Sequence, residues 1–203
     1  MRTLFLVLLL SAHPLWASGT NSPSGKMEIT MAGDSPLGTF HIEYHQPPAP
    51  NAETREAQEV WLVSSKNPKN RQLLYTYYRD VEVIFSDDEK WLVVNDQPVS
   101  NVSQVFLFRQ QKKLQYEPTE DITDRAWQFA ASKMGRKKRP ALDHEYAQGI
   151  RWTDGHTLLV CLQGDADRNI SINQWLCFYD VATRTFSTDL DKLNQRHATF
   201  GAK

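Results

Sequence analysis

The feature that most constrains this chain is that it repeats itself. Phe85-Ser86-Asp87-Asp88-Glu89-Lys90-Trp91-Leu92-Val93-Val94 aligns with Trp152-Thr153-Asp154-Gly155-His156-Thr157-Leu158-Leu159-Val160 across a single gap. Each copy reads as an aromatic residue, a hydroxyl, an acidic turn, a variable pair and a leucine-led apolar run. A second pattern follows each one: Val105-Phe106-Leu107-Phe108 leading to Leu114, and Trp175-Leu176-Cys177-Phe178-Tyr179-Asp180 leading to Phe186. Val60-Trp61-Leu62-Val63 leading to Leu73-Leu74 is a weaker third copy of that hairpin. Such self-similarity means one supersecondary unit built several times, with neighbours stacking to bury what one unit cannot bury alone.

The unit is made of strands. Phe40, Ile42 and Tyr44 alternate with His41, Glu43 and His45, the period of two of a half-buried strand. Strand-like runs flank Lys66-Asn67-Pro68-Lys69-Asn70, Ser86-Asp87-Asp88-Glu89 and Gln110-Gln111-Lys112, all of which carry turn chemistry. Residues 121–134 depart from this style. Ile122, Ala126, Trp127, Phe129, Ala130 and Met134 suit a helix, with Thr119 or Asp121 as its cap and Gly135 as its stop. The basic run Arg136 to Arg139, closed by Pro140, reads as a solvated linker. The expected fold is therefore all-β: stacked four-stranded antiparallel meanders with one inserted helix near 121–134. Blade-like units are expected near 27–78, 81–117 and 149–190 of a single domain spanning 18–203. Runs such as Trp91 to Val94 are apolar on both faces, so each sheet needs a neighbour on either side. An open stack of three leaves two terminal faces, and the helix, the N-terminal strands or a second chain is expected to cover them.

These residues resemble the blade motif of TolB-like and WD40-like β-propellers, in which an aromatic-Ser-Pro-Asp-Gly-Lys turn precedes the second strand. Here Asp87 stands in the place of the proline and Glu89 in the place of the glycine. Tyr179 to Phe186 looks like the end of a third blade strand and its turn into the fourth. The resemblance covers residues 58–118 and 149–190 and implies propeller-like blades and a binding function. Three units are too few for a standard closed ring, which takes 4–8 blades. Pairing of two chains into a six-unit ring is the homodimeric alternative.

The N-terminus reads as an address. Met1-Arg2, the apolar run Leu4 to Leu10, Pro14 and the small residue Ala17 follow the order of a secretory signal peptide over residues 1–17. The expectation is export, to a periplasm or the outside, after removal of the leader. The apolar run falls short of the roughly 18 residues a membrane span needs. A net charge of -1 gives no electrostatic case for nucleic acid. Export permits a disulfide between the two cysteines, Cys161 and Cys177, provided that their strands are antiparallel neighbours and the two face each other. Two reduced cysteines acting as small core residues are the other reading.

Three constellations could carry chemistry. His41-x-Glu43-x-His45 puts two imidazoles and a carboxylate on one strand face, a set suited to zinc or ferrous iron. Its outer members lie about 13 Å apart on an ideal strand, so a single metal would need ligands from elsewhere. Asp165-x-Asp167-x-Asn169-x-Ser171 places oxygens at alternate positions as calcium loops do, but it lacks their glycine and glutamate. Asp143-His144-Glu145 is a third cluster, and Asn101-Val102-Ser103 and Asn169-Ile170-Ser171 are glycosylation sequons. Trp61, Trp91, Trp152 and Trp175 read as core residues, with a sugar-stacking platform as the alternative. No nucleophile elbow, phosphate loop, dinucleotide fingerprint or H-E-x-x-H motif occurs. The leading expectation is a non-catalytic binding or scaffold module without a cofactor, whose partner is another protein or a cell-envelope component. A metal-dependent hydrolase using His41, Glu43 and His45 and a structural subunit of an envelope complex are the alternatives.

Overall fold

The computed structural model describes residues 28–47, 56–166, 170–188, 190 and 198–200. The expected signal peptide lies outside them. Strands dominate, and they form three consecutive antiparallel meanders. The first contains β1 (Glu28–Asp34), β2 (Phe40–Gln46), β3 (Gln58–Ser64) and β4 (Arg71–Tyr77), paired in that order. The second contains β5 (Asp80–Phe85), β6 (Trp91–Val99), β7 (Val102–Lys112) and β8 (Gln115–Asp121). The third contains β9 (His144–Trp152), β10 (Thr157–Ala166), β11 (Ile170–Asp180) and β12 (Thr185–Ser187), and β13 (Ala198–Phe200) pairs with the start of β11. A short parallel bridge, Val102 with Glu145 and Ser103 with Tyr146, links the second meander to the third.

Two apolar layers hold the three meanders together. Phe40, Ile42, Val60 and Leu62 of the first pack against Leu92, Val94, Phe108 and Tyr116 of the second. Val93, Val105 and Leu107 of the second pack against Leu158, Val160, Cys177 and Tyr179 of the third. Leu92, Val93 and Val94 are consecutive and all wholly buried, because their strand has a sheet on each side. Filling a Val or Leu position this way contributes about 1.5–3 kcal/mol.

Helix α1 (Thr123–Lys133) begins at Ile122 and makes no side-chain cap bond; neither Thr119 nor Asp121 is the N-cap. Thr119 donates its hydroxyl to the Leu107 carbonyl, 3.0 Å away, and Asp121 Oδ1 accepts the Thr123 N–H at 2.8 Å. Gly135 does stop the helix. At φ 71° it donates to the Ser132 carbonyl, and Arg136 donates to that of Ala131, a Schellman closure. The helix does not cover a terminal face. Ile122, Ala126, Trp127 and Ala130 enter the layer between the second and third meanders, because the link from β8 to β9 runs along it. Trp127 fits there against Gly164: a β-carbon on Gly164 would lie 2.7 Å from the His144 carbonyl oxygen and 3.2 Å from Trp127. The basic run is not wholly solvated either, since Arg139 pairs with Asp124 and Glu145 and lies over the Trp127 ring.

The repeated turns share hydrogen bonds as well as letters. Ser86 N–H donates to the Trp91 carbonyl at 2.9 Å, and Trp91 N–H donates to Ser86 Oγ at 3.0 Å. Ser35 and Phe40 make the same two bonds at 2.8 and 2.9 Å, so Ser35-Pro36-Leu37-Gly38-Thr39-Phe40 is the first meander's copy, which the sequence comparison missed. Glu89 then occupies the position of Gly38, at φ 55° against 66°. That backbone favours glycine, and Glu89 is nonetheless 3% exposed. Its carboxylate reaches into the first meander's turn and accepts Ser35 Oγ–H at 2.5 Å and Leu37 N–H at 2.8 Å. Burial would raise its pKa, but bonds from the Ser35 and Thr39 side chains and the Leu37 and Thr39 backbone outweigh it and hold the carboxyl below its ordinary value.

Glu89→Gln keeps the shape and removes the charge, and should cost about 1–3 kcal/mol of stability at neutral pH. A carboxyl held below its ordinary pKa stabilises the fold at pH values above that range and loses this contribution on acidification. Urea unfolding at a series of pH values should therefore show the gap between wild type and Glu89→Gln closing below about pH 4. A gap independent of pH would mean that the charge is not what holds the two turns together.

Candidate functional site

The structure brings His41, Glu43 and His45 together as a row. Glu43 lies between the imidazoles, with Oε1 3.2 Å from His41 Nε2 and Oε2 2.9 Å from His45 Nε2. Burial works to raise the Glu43 pKa, and the two imidazoles more than offset it, leaving the pKa lowered. The carboxylate keeps the histidines apart on its two oxygens, as the strand spacing requires, and no group of three such side chains among the described residues is arranged to hold a metal ion. The three side chains form a hydrogen-bonded polar stripe. It lies on the first meander's outer face with Trp61, which pairs with Glu43 across β2 and β3. In the register set by the shared turns, His41 and Glu43 occupy the positions of Leu92 and Val94. Polar residues there suit the end of a stack, and among the described residues no further sheet lies beyond them.

Of the calcium-type loop, Asp167 and Asn169 lie outside the described residues, as does the second sequon's asparagine. Asp165 pairs with Ser171 across the hairpin and sits 3.2 Å from His144 Nδ1. Asp143-His144-Glu145 does not converge: His144 turns to Asp165 and Glu145 to Arg139. The first sequon's Asn101 donates its amide to the Asp143 carbonyl at 2.9 Å. Trp152 and Trp175 are buried in the core. Trp61 and Trp91 are half-buried, and Arg71 and Arg109 cover their rings at 4.9 and 5.5 Å from the ring centres, which leaves no open stacking platform.

The cysteines lie on adjacent antiparallel strands but form no disulfide; both are free thiols. Cys161 pairs with Leu176 and Cys177 with Val160, one residue out of step, so their side chains point to opposite faces. Cys177 belongs to the core, and Cys161 is half-buried on the outer face. Burial pushes the Cys161 thiol up to about 11 and raises that of Cys177 as well.

A groove that no motif announces lies where the second meander meets the third. One recess, about 130 Å³, is lined by Asp80, Glu82, Asp96, Gln97 and Gln148 among others. The adjoining one, about 290 Å³, is lined by Gln97, Tyr146, Gln148, Cys161 and Gln163. Sharing Gln97 and Gln148, the two form one trough, acidic at one end and amide-rich at the other. Register explains the second half: Cys161 lies opposite Gln148 and Gln163 opposite Tyr146, so four side chains share one face of β9 and β10. The first half follows from β5 and β6, where Asp80 pairs with Gln97 and Glu82 with Asn95 on one face, while Asp96, one step off, turns its side chain toward the first meander. Tyr75 O–H donates to Asp96 Oδ2 at 2.9 Å, while Tyr146 is fixed by donating to the Ser100 carbonyl at 2.8 Å. The trough offers amide and carboxylate groups without a nucleophile poised beside a base.

Compared with protein-family models and with curated protein sequences, the chain matches none. Among the described residues no helix is long and apolar enough to cross a membrane.

The register makes a thiol experiment decisive. Native protein treated with a small neutral thiol reagent should be modified at Cys161 first and slowly, because the raised pKa leaves little thiolate. Cys177 should react only on unfolding, and unreduced denatured protein should titrate two thiols. Finding none would restore the disulfide and require a different pairing of β10 with β11.

Proposed function

We propose that the chain is an exported, non-catalytic binding or scaffold module of propeller-like type, whose partner is another protein or a cell-envelope component. The trough around Gln97 and Gln148 carries this reading. Its lining combines exposed amides, carboxylates and a tyrosine on rigid strands, the mix that recognition of a polar partner uses. The order of features at Met1 to Ala17 supports export. The hydrolase alternative loses support because Glu43 already accepts from both imidazoles. A six-unit ring of two chains would set the polar His41-Glu43-His45 stripe against the other end's half-buried Leu159 and Phe178, so an open stack is the better reading.

A photo-crosslinking residue at Gln148 or Gln163, expressed in the native host, should trap one defined partner. The same probe at Lys69, in the turn before β4, should trap none. Equal labelling from all three positions, or none from the trough, would overturn the assignment of the site.

A further inference from the structure

The layer between the first and second meanders holds a carboxylate whose bonding is incomplete. Asp96 is 6% exposed, its Oδ2 accepts the Tyr75 O–H at 2.9 Å, and its Oδ1 has no hydrogen-bond partner. Alternation along β6 turns this side chain toward the first meander, on the same side as Leu92 and Val94. Tyr75 reaches it from β4, with its ring against Phe106 and Phe108 of the second meander. The other neighbours bring no positive charge. β5 and β7 place Val81 and Gln104 opposite Asp96, and β8 contributes Asp121, whose negative charge acts on Tyr75. Among the described residues no cation acts on Asp96.

An ionised carboxylate taken out of water needs several donors, and this one has a single hydroxyl. The closed layer therefore favours neutral Asp96, whereas separation of the two sheets admits water to Oδ1 and favours the ion. We propose that Asp96 is a proton-operated latch between the first and second meanders, closed when the acid is neutral and loosened when it is ionised. Burial raises its pKa and outweighs the opposing Tyr75 bond. A carboxyl of this kind stabilises the closed layer at low pH and loses that contribution as the pH rises through its raised value. Glu89, in the turn before β6, acts in the opposite sense, because its bonds to the first meander's turn hold its pKa down. The layer is thus tightest at mildly acidic pH, with Asp96 neutral and Glu89 still charged. The latch requires nothing of the trough or of the partner proposed for it.

The Tyr116 amide reports the state of the layer, because it donates across it to Gln72 Oε1 at 2.9 Å. Its hydrogen exchange is followed in ¹⁵N-labelled full-length protein between mildly acidic and neutral pH. Rates are taken as the ratio of variant to wild type, so that the intrinsic pH dependence of exchange cancels. For Asp96→Asn, whose side chain stays neutral, the ratio should fall about tenfold as the pH rises, since the wild type opens and the variant does not. Tyr75→Phe removes the one donor to the ion, so its ratio should rise with pH. Lost packing alone would shift that ratio equally at every pH. Should Asp96→Asn fail to fold, Tyr75→Phe and the carboxyl ¹³C signal of Asp96 in the wild type decide the matter. That signal should titrate above the ordinary aspartate value of about 3.9. A ratio independent of pH in either variant, or titration of Asp96 at or below about 3.9, overturns the proposal.

Discussion

The middle meander is apolar on both faces, and everything else in the structure answers to that. Leu92 and Val94 point one way and Val93 the other, so neither face of β6 can meet water without losing several kcal/mol. Burial of this kind is non-directional, however, and would tolerate sheets sliding over each other. Reciprocal polar contacts set the alignment. Gln72 donates its side-chain amide to the Tyr116 carbonyl at 2.6 Å and accepts the Tyr116 N–H at 2.9 Å, tying the first meander to the second. Asn95 does the same with Gly149, at 2.8 Å each way, tying the second to the third. In both, a side-chain amide takes the place of a neighbouring strand's peptide. Apolar area supplies the energy, and two amides and the Glu89 carboxylate supply the register.

The two ends of the stack differ in kind, which bears on where a partner can bind. At the first end, His41 and Glu43 replace the apolar pair found at the equivalent places of the other meanders, and Glu43 satisfies both imidazoles. At the third, Leu159 and Phe178 remain half-buried beside Cys161 and the trough. A polar stripe whose groups already serve one another has little to offer a ligand. The exposed amides of Gln148 and Gln163 in the trough are the more accessible groups.

The strand pattern, the three units and the glycine stop of the helix were legible in the sequence because each depends on local chemistry. Period-two alternation, turn residues and Gly135 act within a few positions of where they stand. The Ser35 turn is hidden from an alignment of acidic turns flanked by aromatics, because Pro36 and Gly38 encode the same backbone with different letters. The cysteine pairing was illegible for another reason. It depends on hairpin register, where one step sends a side chain to the opposite face, and local composition does not set that step. The trough joins residues from position 80 to position 163, and its glutamines look like any other surface residues in a linear reading.

Glu89 shows how a local rule gives way to a long-range contact. A glycine at that position, such as the blade-type turn carries and Gly38 supplies in the first meander, would relieve a left-handed backbone that costs a glutamate on the order of 1 kcal/mol or more. The side chain makes up for this by crossing to Ser35 and Leu37, where charged hydrogen bonds are worth about 1.5–3 kcal/mol. Its own carbonyl also accepts the Tyr116 hydroxyl, and Tyr116 lies in the same apolar layer as Phe40 and Phe85. One residue therefore closes its turn, anchors the neighbouring turn and fixes the aromatic cluster between them. Local preference and global packing disagree at this position, and packing wins because the carboxylate can satisfy a second turn while closing its own.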